Sequence, residues 1–83
     1  MTNHQYLINL CKEYNLPLWF LLYDPKYGTY FEYEPKIALT LPRNVLNSTH
    51  SYWMVGKTSV PAPSISSHSP SSLHSFVLSC ALP

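Results

Sequence analysis

Leu18–Glu34 reads LWFLLYDPKYGTYFEYE, and the fold turns on this stretch. Leu18–Tyr23 is apolar at every position, as in a strand covered on both faces or a buried helix; six residues between Pro17 and Asp24-Pro25 favour the strand. Asp24–Gly28 is turn chemistry: Asp bonds its own backbone, Pro presets φ and Gly accepts positive φ. Thr29–Glu34 then alternates, with Thr29, Phe31 and Tyr33 on one side and Tyr30, Glu32 and Glu34 on the other. The spacing predicts a hairpin.

Outward from the hairpin, Pro35-Lys36 makes a break and Ile37–Leu41 alternates again, predicting a third strand with Ile37, Leu39 and Leu41 on one side. Upstream, Thr2-Asn3-His4-Gln5 matches a capping box, and Leu7, Leu10, Cys11 and Tyr14 recur at helical spacing. Asn15 suits a left-handed helix end, and Pro17 bars continuation. The expectation is a small α+β unit over residues 2–44, a helix from Asn3 to Tyr14 packed on a three-stranded antiparallel meander. The face of Leu7, Leu10, Cys11 and Tyr14 would cover Phe31, Tyr33 and the Ile37, Leu39, Leu41 side. Such a unit, about 40 residues long, sits near zero net stability without a staple or a partner.

The composition then changes. All eleven serines lie at or after Ser48, six of the seven tyrosines lie at or before Tyr33, and all four acidic residues precede Pro35. Val60–Ser72 (VPAPSISSHSPSS) combines three prolines with six serines, which compete with or remove backbone hydrogen bonds. Residues 45–83 therefore read as a low-complexity, mostly disordered Ser/Pro-rich tail, of the kind an alternative exon or shifted frame produces. Its end, Leu73–Leu82, is apolar enough for a short strand or helix against something else.

The net charge is +1 over 83 residues, with five Lys and Arg dispersed, so no basic stripe points to nucleic acid. The longest apolar run falls short of a membrane span, and no signal-peptide pattern is evident, so the expected setting is intracellular and soluble. Two cysteines, Cys11 and Cys80, fall short of a disulfide framework and read as free thiols, with one bridge between them the alternative.

No catalytic, metal or cofactor constellation emerges. His4 and Cys11 share a helical face but lie two turns apart, too far for a Cys-His pair. His68, His74 and Cys80 recur every six residues without zinc-site spacing. Glu32 and Glu34 read as the solvated side of a strand. Asn47-Ser48-Thr49 matches a glycosylation acceptor and Ser69-Pro70 a phosphorylation dipeptide, both commonplace in any sequence. The concentration of Trp19, Phe20, Tyr23, Tyr27 and Tyr30 carries more: beside acidic neighbours, such aromatics suit protein contact better than base stacking.

Tyr6–Pro17 (YLINLCKEYNLP), with the apolar strand and the helix-strand-strand-strand order, resembles the first half of a double-stranded RNA-binding domain. The resemblance implies a second helix with a phosphate-binding lysine cluster, which the chain does not offer, so it implies a fragment with RNA binding lost or crippled. Trp19, Tyr30, Phe31 and Pro42 also resemble part of a WW module, without its ligand-side pattern. The leading expectation is a non-enzymatic protein that docks a protein partner through an open sheet edge or the aromatic surface. The crippled RNA-binding fragment and a small secreted glycoprotein, modified at Asn47, are the alternatives.

Overall fold

A computed structural model describes residues 1–82. Helix α1 (Asn3–Glu13) forms where the capping pattern places it: the Gln5 amide donates to Thr2 Oγ1 at 3.2 Å. Asn15 ends it at φ 53°, the left-handed conformation expected there, and the Leu16 amide reaches back to the Cys11 carbonyl at 2.8 Å. Strands β1 (Leu18–Asp24) and β2 (Thr29–Tyr33) form the hairpin. Its turn is closed by Asp24 Oδ1 accepting from the Lys26 amide at 2.9 Å and by Gly28 at φ 68°.

The third strand at Ile37–Leu41 does not form. Pro35 occupies the first turn of a short helix, α2 (Pro35–Ala38), where its fixed φ is an advantage and its missing N–H costs nothing. The Ala38 amide bonds the Glu34 carbonyl at 2.9 Å and the Leu39 amide bonds that of Pro35 at 3.1 Å. Helical winding buries Ala38 completely and leaves Ile37 half exposed, the reverse of the alternation read from the sequence. A second short helix, α3 (Arg43–Leu46), comes next.

The tail expected over residues 45–83 is not loose across its described part, 45–82: the segment beyond α3 supplies half of the sheet. Strands β3 (Ser51–Val55) and β4 (Thr58–Pro61) make a second hairpin, and the sheet runs β2-β1-β3-β4, antiparallel throughout. Its two-residue loop has Gly56 at φ 63° and then Lys57 in the ordinary negative-φ range, the II′ pattern that matches strand twist. Helices α4 (Ala62–Ser66) and α5 (Pro70–Ala81) complete the chain. In α5, Ser69 caps the Ser72 amide at 3.2 Å and Pro70 takes the first turn, so the serines and prolines that argued for disorder act as helix-start signals. Leu73 and Val77 then form a fully buried stripe packed towards α1. The radius of gyration, 12.2 Å, matches the value near 12 Å of a folded chain this long, against about 28 Å unfolded.

The architecture is thus a small two-layer α+β unit. Leu18 and Phe20 of β1, Ser51, Trp53 and Val55 of β3 and the half-buried Tyr33 of β2 point to the helical layer. There they meet Leu7, Ile8, Leu10 and Cys11 of α1, Ala62 and Ile65 of α4, and the α5 stripe. Trp53, fully buried, stands edge-on to Phe20 at 5.0 Å between ring centres. Phe31, expected beneath the helix with Tyr33, is instead 39% exposed at the sheet edge.

Candidate functional site: the uncovered sheet face

A strand buried on one side sends alternate residues to the other. On β1 those residues are Trp19, Leu21 and Tyr23; register places Met54 beside Trp19, Tyr52 beside Leu21, Glu32 beside Leu21 and Tyr30 beside Tyr23. None of them belongs to the buried core, and Trp19 and Tyr30 are 42% and 45% exposed. The rings interlock edge-to-face: Tyr23 and Tyr30 at 5.3 Å, Tyr30 and Tyr52 at 6.0 Å, with the His50 ring 6.2 Å from Tyr23. This geometry holds each ring against its neighbours while leaving part of it open to solvent. Glu32 is the one charged side chain among these residues.

Of the five aromatics singled out from the sequence, three lie here. Trp19, Tyr23 and Tyr30 share the face, Phe20 turns inward, and Tyr27 sits in the β1–β2 turn, 65% exposed and edge-on to Phe31 at 5.6 Å. Tyr52 and Met54 escaped the sequence reading because they lie in the part assigned to disorder. The alternation in Ser51–Val55 (SYWMV) ahead of Gly56-Lys57 was the available signal.

The interior holds a polar cluster. Asn47 and Ser66, from the ends of α3 and α4, meet His4 of α1 beneath Trp53. The indole N–H of Trp53 can only donate, and it does so to His4 Nδ1 at 3.1 Å. That bond places the imidazole proton on Nε2, which donates to Asn47 Oδ1 at 2.9 Å. Ser66 Oγ donates to the same Asn47 oxygen at 3.0 Å and lies 3.3 Å from His4 Nε2. The trio has the composition of a nucleophile site but the wrong tautomer: a nitrogen that carries its proton cannot take one from Ser66. Burial holds the His4 pKa below its ordinary value; the bond to Asn47 opposes it and the nearby Arg43 charge adds to it.

The other sequence candidates are separated. Cys11 is buried, and desolvation, with Cys80 a smaller influence, pushes its thiol up to about 11, away from the thiolate needed for reaction. Both cysteines are free. His74 Nε2 pairs with the Tyr14 hydroxyl at 2.9 Å, tying α5 to α1, while His68 Nδ1 bonds the Ser64 carbonyl at 2.6 Å. They and Cys80 do not converge, and no group of three or more metal-ligating side chains exists among the described residues. Glu32 stands on the open face, whereas Glu34 precedes α2 as its cap residue without a side-chain bond. No helix among the described residues is long and apolar enough to cross a membrane.

No family model matches the chain, and no curated protein or solved structure is significantly similar to it.

Proposed function

We propose that the protein is a non-enzymatic docking module whose uncovered sheet face receives a protein partner. The observation that carries this reading is the continuity of Trp19, Leu21, Tyr23, Tyr30, Tyr52 and Met54 across three adjacent strands, with Glu32 the single charge among them. Aromatic and methionine side chains are the types enriched in protein interfaces, where burying a large ring costs little conformational entropy. Their mutual edge-to-face contacts pre-order the rings, which lowers the entropy cost of binding.

Duplex RNA is the less favoured ligand. The helix that would have to grip phosphate, α5, reads PSSLHSFVLSCA and carries no Lys or Arg, and the sheet face is faintly acidic. The glycoprotein reading gains no support from Asn47, whose side-chain carbonyl is engaged by His4 and Ser66.

The test compares the wild type with a Trp19→Ser, Tyr52→Ser double variant of unchanged circular dichroism. A partner retained by the wild type at about 0.5 M salt and weakened at least tenfold by the variant is expected, since interface aromatics are common hot spots. Equal retention by both would overturn the assignment. Binding to duplex RNA that falls steeply with salt would replace it with the alternative.

A further inference from the structure

The two edges of the sheet differ in what their backbones offer. The N–H and C=O of one strand residue leave on the same side, and antiparallel neighbours alternate between bonded and unbonded pairs. The Gly56 amide donates to the Pro17 carbonyl at 2.8 Å and the Tyr23 amide to that of His50 at 3.0 Å. Residues 17, 19, 21 and 23 of this stretch therefore bond towards β3, and Leu18, Phe20, Leu22 and Asp24 towards β2. On β2 this commits Thr29, Phe31 and Tyr33 to β1 and turns the backbone groups of Tyr30 and Glu32 outward. On β4 the same parity turns Ser59 and Pro61 outward, and Pro61 has no N–H. One edge is blunted by proline; the other has neither proline nor lysine along Thr29–Tyr33.

We propose that β2 pairs antiparallel with β2 of a second copy, about a twofold axis at Phe31. Three features make this strand complementary to itself. Tyr30 falls opposite Glu32 of the second copy and Glu32 opposite its Tyr30, so the outward N–H and C=O groups of both residues meet in two fully bonded pairs. The same register sets each carboxylate against a phenol ring, while the two Glu32 residues stand on the diagonal, their backbone positions roughly 7–8 Å apart. Phe31 meets Phe31 across the axis as an unbonded pair, where side chains approach most closely, which covers a ring otherwise 39% exposed. A tyrosine ring from each turn, Tyr27, already leans on Phe31 at 5.6 Å and closes the same apolar patch. The result is one continuous sheet with the aromatic faces of both copies side by side. Because Pro61 blunts the far edges, growth stops at two.

The contact runs along the backbone edge of the sheet and does not rest on partner docking, although Tyr30 and Glu32 belong to both surfaces. A strand-edge interface buries less than the roughly 1,200 Å² of a standard complex, so association is weak and concentration-dependent. Sedimentation equilibrium of the full chain from about 10 µM to about 1 mM is expected to fit monomer and dimer alone. Tyr30→Glu puts like charges opposite each other twice and is expected to weaken the dimer roughly tenfold. Tyr30→Lys, facing Glu32 of the second copy, should match or tighten the wild-type association. Glu32→Pro deletes an outward N–H without touching the β1 ladder and should leave monomer; dispersed amide spectra confirm folding, and where that variant unfolds, the Tyr30 pair decides. Monomer alone at 1 mM, species larger than a dimer, or equal responses to Tyr30→Glu and Tyr30→Lys would overturn the pairing. The Trp19→Ser, Tyr52→Ser variant used for partner docking should dimerise normally, so the two readings fail separately.

Discussion

Acid should weaken this fold through His4. In the native state its Nδ1 lone pair is occupied by the Trp53 indole N–H, 3.1 Å away, inside a core where Trp53 is fully buried and His4 only 4% exposed. Protonation would set N–H against N–H and add a charge near Arg43, so burial keeps the native imidazole neutral below its ordinary pKa of 6.5. The unfolded chain takes up the proton near that ordinary value. Below it the unfolded state binds more protons than the native one, and stability falls with pH until the lowered native pKa is reached. One proton limits the slope to about 1.4 kcal/mol per pH unit, so the loss between pH 6.5 and 5.5 reaches at most about 1 kcal/mol. Against a total on the order of 4–12 kcal/mol for a domain this size, the shift is measurable. Urea titrations monitored by tryptophan fluorescence at pH 7.5, 6.5 and 5.5 should show falling midpoints at constant slope. Trp53→Phe, which frees Nδ1 to accept a proton, should flatten the dependence while lowering stability overall. Midpoints unchanged from pH 7.5 to 5.5, or an equally steep fall in Trp53→Phe, would refute the tautomer assignment.

The packing leads to two further expected outcomes. A chain ending at Asn44 loses β3 and with it the 5.0 Å Phe20–Trp53 contact at the centre of the core, so its amide spectrum should collapse; the full chain should show slow hydrogen exchange in β3 and α5. The two left-handed glycines separate strain from crowding: Gly28→Ala meets open space and should cost about 1 kcal/mol from φ alone. Gly56→Ala adds a Cβ only 3.0 Å from Leu16 Cδ1, so its melting temperature should drop further than the roughly 4–8 °C that about 1 kcal/mol represents at this size.

How much of the molecule is legible in its sequence varies with the range of the interactions that decide it. The α1 cap, the Asn15 helix end and the first hairpin are settled within a few residues by hydrogen-bonding side chains and fixed dihedrals, and they form where expected. Ile37–Leu41 carries a period-two pattern, but one local rule, proline at a helix start, outweighs it. Composition misleads in the second half. Serine and proline suppress structure in the middle of an element yet initiate helices at its ends, and the summed percentages of Val60–Ser72 conceal which role each residue plays. The aromatic surface is visible as a cluster, while its membership is not, because Tyr52 and Met54 join it only through the β1–β3 register.

Amino-acid order alone thus determined the class, α+β, the first helix and hairpin, and the poverty of charge that turns attention from nucleic acid to protein contact. Tertiary structure decided which strand lies at the centre, which tryptophan is core and which is surface, and that His4, Asn47, Ser66 and Trp53 meet at all. The physical reason is the pairing of β1 with β3 across roughly thirty intervening residues: a contact between segments so distant has no signature in either one, only in the surface each must bury against the other.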